Sequence, residues 1–218
     1  MSTVSFRKGV DSPLDGVTRL IFGAAWDRKT AKQSGFARKL ALKTGGKINL
    51  GGGEKDIDLD LALVLYRDGQ PKRIVIGHNM DPVNGAAVHS GDNQTGQGDG
   101  DDESITLDLT KLPAWVTEWA VTVNAYKMGT SFDQAQNVSL NVYDASGPGA
   151  PVLLDELMPT LGSGATACVV ASGKINRDSV HNVPTEGWTT TLVDKAGRLS
   201  TQGDDNAVLS FTKQNAGI

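Results

Sequence analysis

The chain has 218 residues and a formal net charge of −4 at neutral pH, and its 39% hydrophobic share is ordinary for a globular protein that buries a proper core. Both signs of charge are interspersed along most of its length, which argues against a nucleic-acid surface; basic residues cluster once, between Arg28 and Lys55. A single cysteine, Cys168 in the apolar run TACVV, excludes an intrachain disulfide and reads as a small core residue.

The opening MSTVSFRKGV lacks the apolar core of a signal peptide, and no window approaches the ~18 to 20 apolar residues of a membrane span, so the expected compartment is the cytoplasm. The first strand signal is VTRLIFGAAW. After it comes RKTAKQSGFARKLALK, where Ala31, Phe36, Leu40 and Leu42 are scattered among lysines and arginines, and then the glycine-rich TGGKINLGGG. This basic insertion at about 28–53 is expected to be a solvated helix or mobile loop, with a contact surface for an acidic partner or anionic lipid as the other possibility.

In IDLDLALVLY the period of two places Ile57, Leu59, Leu61, Leu63 and Leu65 on one face and Asp58, Asp60, Ala62, Val64 and Tyr66 on the other. The second face turns from charged to apolar along its length, as expected of a central strand whose first residues emerge at the end of a sandwich. Asp58 and Asp60 then point the same way, about 7 Å apart at Cα, and can serve one site. Further segments follow in KRIVIGH, SITLDLT, EWAVTVNAY, NVSLNVYDA, ATACVVASG and GWTTTLVD, and the tail AVLSFT reads as a final strand with a frayed end. Short Val-, Ile-, Leu- and Thr-rich segments between Gly, Pro and Asp punctuation predict an all-β fold, a two-sheet sandwich or a barrel.

The most unusual stretch is GDNQTGQGDGDDE, Gly91 to Glu103, where Asp92, Asp99, Asp101, Asp102 and Glu103 gather with no basic residue between them. Two carboxylates about 5 Å apart repel by roughly 3 kcal/mol at an effective dielectric of ~20, so folding them together calls for solvent, basic side chains or a bound cation. Carboxylates, the amide of Asn93, the hydroxyl of Thr95 and glycines that let carbonyls turn inward form an all-oxygen shell, which suits calcium better than magnesium. The spacing does not fit an EF-hand, and an acidic, solvated turn is the bland alternative.

Other chemistries find little support. His78, His89 and His181 are the only histidines, no GxSxG elbow is present, and the glycine-rich loop lacks the GK[ST] of a phosphate cradle. One cysteine and three dispersed histidines do not form a zinc set either. The histidines read as structural hydrogen-bonders rather than catalysts.

The loop Gly91 to Glu103, followed by SITLDLTKLP to Pro113, resembles the signature of the TerD family of tellurium-resistance and stress proteins, GDN-x-T-G-x-GDGDDE before an alternating strand and a proline. The family's earlier DLDAS strand is similar to Asp58, Leu59, Asp60, Leu61 and Ala62, with Leu61 and Ala62 departing from the family's alanine and serine. VSFRKG, LIFGAAWD, Asn79, His89 and SFDQAQNVSLNVYD fit as well, so the likeness covers most of the chain. The basic segment 28–53 is longer than the usual link and marks a divergent branch.

The resemblance implies one domain over residues 1–218, a two-sheet β-sandwich with short helices or turns and an acidic metal-binding loop at one end. It also implies one or two calcium ions held among Asp58, Asp60, Asn79, Asp92, Asn93, Asp99, Asp101, Asp102 and Glu103. The expected function is non-enzymatic: calcium binding in a bacterial tellurite-resistance or stress-response system, through assembly with other Ter-system proteins and a membrane partner complex. A calcium-dependent module for membrane surfaces, resembling C2 domains, is the alternative, and a hydrolase using metal-activated water ranks third for want of a general base outside the ligand set.

Overall fold

The computed structural model describes residues 4, 6–28, 57–94, 100–177 and 184–218. The basic segment 29–56, Asp99 and His181 lie outside the described residues.

Among the described residues, eleven strands form two antiparallel sheets. In chain order they are β1 (Ser12–Pro13), β2 (Arg19–Arg28), β3 (Leu59–Arg67), β4 (Gln70–Val75), β5 (Ala87–His89), β6 (Glu103–Asp108), β7 (Glu118–Ala125), β8 (Ala135–Asp144), β9 (Val152–Leu157), β10 (Ala167–Arg177) and β11 (Pro184–Gly197). The six-stranded sheet runs β1-β11-β10-β7-β3-β4, and the five-stranded sheet runs β5-β6-β2-β8-β9.

The alternation in β3 explains how the sheets meet. Ile57, Leu59, Leu61, Leu63 and Leu65 are fully buried and pack with Leu20, Phe22 and Ala24 of β2, Ile105 and Leu107 of β6, and Leu140 and Val142 of β8. The rings of Phe22 and Trp119, one from each sheet, meet at a centroid distance of 5.2 Å. Apolar burial of this kind contributes roughly 25 cal/mol per Å² removed from water, which makes the two-sided interior the main source of stability. Cys168 is buried in the same interior with its thiol reduced.

The other face of β3 is covered too. Ala62, Val64 and Tyr66, with Ile74, Ile76, Ala120, Ala167 and Val169, pack under Ala207, Val208 and Phe211 of helix α1 (Asp205–Asn215). Helix α1 replaces the final strand expected from AVLSFT. Asp204 caps it by accepting from the Asn206 N–H at 2.9 Å, and Ala207, Val208, Phe211 and Thr212 recur on the helical period, so one apolar side faces the sheet. Thr212 completes the docking through a buried 2.9 Å hydroxyl contact with Thr122 of β7.

Among the described residues, no helix is long and apolar enough to cross a membrane.

Candidate metal centre

The site grows from a ladder that stops early. Strand β3 pairs with β4 only as far as Leu63 opposite Val75, so among the described residues no strand pairs with Leu61 on the edge away from β7. Two side chains from the five-stranded sheet take the strand's place. Glu103, at the start of β6, accepts the Leu61 N–H at 2.7 Å, and His89, at the end of β5, directs Nε2 at the Leu61 carbonyl at 3.1 Å. Buried backbone groups must find partners, and here they find them across the sandwich.

The same two residues fix each other and the acidic loop. His89 Nδ1 accepts the Gly91 N–H at 3.0 Å, which assigns the ring proton to Nε2; that N–H also lies 3.4 Å from Glu103 Oε2. Glu103 Oε1 accepts the Asn93 N–H at 2.9 Å. Glu103 is 1% exposed and His89 3%, so the two side chains that carry this network are buried, while Gly91 and Asn93 at its loop end are half-buried.

Around it stand the carboxylates. Asp60, Asp92 and Glu103 each place one oxygen within 4.8 Å of the others, a grouping that could hold a metal ion. Half-buried Asp58 acts on the same group, and its own carboxyl is raised from the ordinary carboxylate range by burial and then by the charges of Asp92 and Glu103, with Lys127 opposing. Asp60 is pushed up to about 8, first by burial and then by Glu103, Asp58, Asp92 and Asp205. Asp58 Oδ1 and Asp60 Oδ2 are buried with no hydrogen-bond partner among the described residues. A buried charged oxygen without a partner is costly, so these atoms fit a hard cation that would bind oxygen ligands.

The remaining expected residues take different positions. Asp92 is exposed, accepts from Gln94 Nε2 at 2.9 Å, and approaches the backbone of Gly77 so closely that a Cβ there would lie 3.0 Å from its own Cβ. Asn93 organises the loop: its Nδ2 donates to Asp102 Oδ1 at 3.1 Å. Asp102 also accepts the Trp26 N–H at 2.9 Å, tying the loop to β2, and burial raises its carboxyl despite that bond. Asp101 turns to the outer face of the five-stranded sheet, where Asn141 Nδ2 and Tyr143 Oη donate to it at 2.6 and 2.9 Å over the bare backbone of Gly23. Asn79 lies in the turn after β4 and donates to the Ile74 carbonyl at 2.9 Å. The structure thus gathers Asp60, Asp92 and Glu103 with Asp58 beside them, braces them with Asn93 and Asp102, engages Asp101 with Asn141 and Tyr143, and turns the Asn79 amide to the Ile74 carbonyl.

The family model described as "TerD domain" matches residues 2–179. The chain belongs to the TerD family. TerZ of Serratia marcescens, a tellurium resistance protein, is 41% identical to it over 133 residues, 60% of this chain and 62% of that protein. The stress response protein SCP2 of Bacillus subtilis (strain 168) is 33% identical over 137 residues, 60% of this chain and 64% of that protein. The chain therefore spans a little under two thirds of the length of these curated relatives. A crystal structure of a homologue of telluride resistance protein TerD from Streptomyces coelicolor A3(2) shares the fold with a TM-score of 0.58 at 19% identity, covering 84% of this chain and 92% of that one.

Beyond the TerD signature, three residues border the centre that the loop motif did not indicate. His78 Nε2 lies 3.1 Å from Asp205 Oδ2, and the Tyr126 hydroxyl donates to Asp205 Oδ1 at 3.3 Å, so the first residue of α1 is anchored beside Asp60. The signal for Asp205 was the cap sequence DDNA, legible only once the tail is taken as a helix.

Proposed function

We propose that this TerD-family chain is a non-enzymatic, cytoplasmic calcium-binding protein of a tellurite-resistance or stress-response system, which assembles with partner proteins when the ion is bound. The observation that carries this is the pair of buried oxygens, Asp58 Oδ1 and Asp60 Oδ2, that have no hydrogen-bond partner among the described residues, beside Asp92 and Glu103. An all-oxygen donor set favours calcium or magnesium over zinc, and the crowding of four carboxylates favours the ion that accepts six to eight ligands. Asp58, Asp60, Asp92 and Glu103 would hold calcium, and Asn93 and Asp102 would keep the loop in place.

The non-enzymatic reading gains support from the histidines beside the centre. Both ring nitrogens of His89 are engaged, one by Gly91 and one by Leu61, and His78 is turned to Asp205. Neither is placed as a base for a metal-activated water.

Calorimetric titration of metal-stripped protein tests the proposal, with calcium binding more tightly than magnesium and Asp60→Asn losing most of the calcium response. Equal, weak responses to both ions would remove calcium. For the partner step, cross-linking in cells compares the parent with Asp60→Asn; an identical set of cross-linked proteins overturns calcium-dependent assembly. Calcium-dependent pelleting of the purified parent with anionic vesicles would replace protein assembly with membrane-surface binding.

A further inference from the structure

We propose that Asn124 gives its side-chain carbonyl oxygen to the cation beside Asp60, as a neutral ligand that sets the preference of the site for a large ion. This role rests on the calcium-binding function proposed above and adds a ligand that lies outside the acidic loop and the DLD strand.

Asn124 stands in β7 directly opposite Asp60 in β3. Directly opposed residues of antiparallel strands share a face, with Cβ atoms about 4.5 to 5.5 Å apart. The Asn124 Nδ2 donates to the Asp60 backbone carbonyl at 3.1 Å, which fixes the amide orientation and leaves Oδ1 as the free end. That oxygen has no hydrogen-bond partner among the described residues, and Asn124 is 0% exposed. On the same face, Asp60 is 5% exposed and its Oδ2 likewise has no hydrogen-bond partner among the described residues.

Two buried acceptors side by side cannot satisfy each other when the carboxylate is ionised. Each then bears a desolvation penalty with no bond to offset it. A cation between them satisfies both. The chemistry of the pair also bears on which cation, because Asp58, Asp60, Asp92 and Glu103 already crowd four negative charges and a further carboxylate would add repulsion. An amide oxygen raises the ligand count without charge. Calcium gains from a sixth to eighth oxygen, whereas magnesium keeps its waters and gains little from another protein ligand.

Calcium and magnesium titrations of the parent, Asn124→Ala and Asn124→Asp test this. The alanine variant is expected to weaken calcium binding about 10- to 100-fold, the loss typical when a supporting metal contact is removed, and to weaken magnesium binding less, so that selectivity drops. Asn124→Asp keeps an oxygen in place and retains calcium binding. Thr122→Val controls for packing: it breaks the bond to Thr212 on the same face, lowers stability and leaves calcium affinity unchanged. A readout that needs no variant is the side-chain carbonyl carbon resonance of Asn124 in labelled parent protein, which should move on calcium addition and saturate with the same midpoint as calorimetry.

A trapped water or a protonated Asp60 carboxyl would satisfy Oδ1 without any ion. Unchanged calcium affinity in Asn124→Ala, or an Asn124 resonance indifferent to calcium in a parent that binds it, would mean that and overturn the ligand role alone. A parent that binds no calcium at all removes the site itself, and the two failures are thereby distinct.

Discussion

Glu103 reaches from the five-stranded sheet to the backbone N–H of Leu61 in the six-stranded sheet at 2.7 Å, and the candidate site exists because of that crossing. The bond joins the last residue of the acidic signature to the strand that carries Asp60. It also makes Glu103 serve two ends, as backbone acceptor and as member of the carboxylate group.

Glu103 should therefore matter for folding even without metal. In chelator, Glu103→Ala leaves the N–H groups of Leu61 and Asn93 without their acceptor, at about 1 to 3 kcal/mol for each that stays buried and unpaired. Glu103→Gln keeps one acceptor and should fall between parent and alanine. Urea unfolding in chelator measures this; parental stability in Glu103→Ala would reduce Glu103 to a metal ligand only.

Asp60 gives a pH dependence of unusual sign. Its carboxyl sits at about 8 in the metal-free fold, far above its value in an unfolded chain, so the folded state holds the proton more tightly. The stability it contributes is fully present below about pH 4 and is lost as pH rises towards 8. Denaturant midpoints of metal-stripped protein should decline across that window, and Asp60→Asn should flatten the decline. In saturating calcium the ionised form is the bound one, so the decline should vanish; a parental profile equally steep in calcium and chelator would contradict this.

Asp101 and Gly23 form a second testable pair. A Cβ at Gly23 would overlap the Asp101 carboxylate, which Asn141 and Tyr143 hold against the outer sheet face. Gly23→Ala should displace Asp101 and destabilise the fold by about 1 to 3 kcal/mol, as overpacking does. Asp101→Asn should leave calcium affinity close to the parent's, because its oxygens face away from the group of Asp60, Asp92 and Glu103. A large loss of calcium binding in Asp101→Asn would place it in the coordination shell after all.

Much of this was legible before the structure. The alternation of IDLDLALVLY gave both the inter-sheet face and the direction of Asp60, because a period of two leaves little freedom once one face is apolar. The three shortest or most polar strands left weaker traces: Ser12–Pro13 has two residues, Ala87–His89 has three, and Val152–Leu157 carries two carboxylates at a sheet edge. The loop motif marked the acidic residues but not their directions, so Asp101 could not be told from Asp102. Asn124 had no motif at all. Its nearness to Asp60, 64 residues away in sequence, is a matter of register between β3 and β7, and no local pattern encodes that.

The tail offers the sharpest test of how a short apolar window is read, because AVLSFT supports either a strand or one face of a helix. In α1, Ser210 is exposed between the buried pairs Ala207, Val208 and Phe211, Thr212. Its substitution probes backbone preference with little change in packing. Helix propensity places alanine ahead of valine by up to ~0.7 kcal/mol, and β-propensity reverses the order. Ser210→Ala should therefore be more stable than Ser210→Val in urea unfolding. Asp204→Ala should cost about 0.5 to 2 kcal/mol through loss of the cap, a term that a strand would not show. The two results bear on the metal centre as well, since Asp205 begins the helix and is held by His78 and Tyr126 beside Asp60. If α1 frays in Asp204→Ala, the negative charge of Asp205 moves away from the carboxylate group, and metal-free Asp60 should titrate lower than in the parent. Asp60 carboxyl carbon shifts followed against pH measure that directly, and a valine variant more stable than alanine, with an uncapped variant of parental stability, would restore the strand.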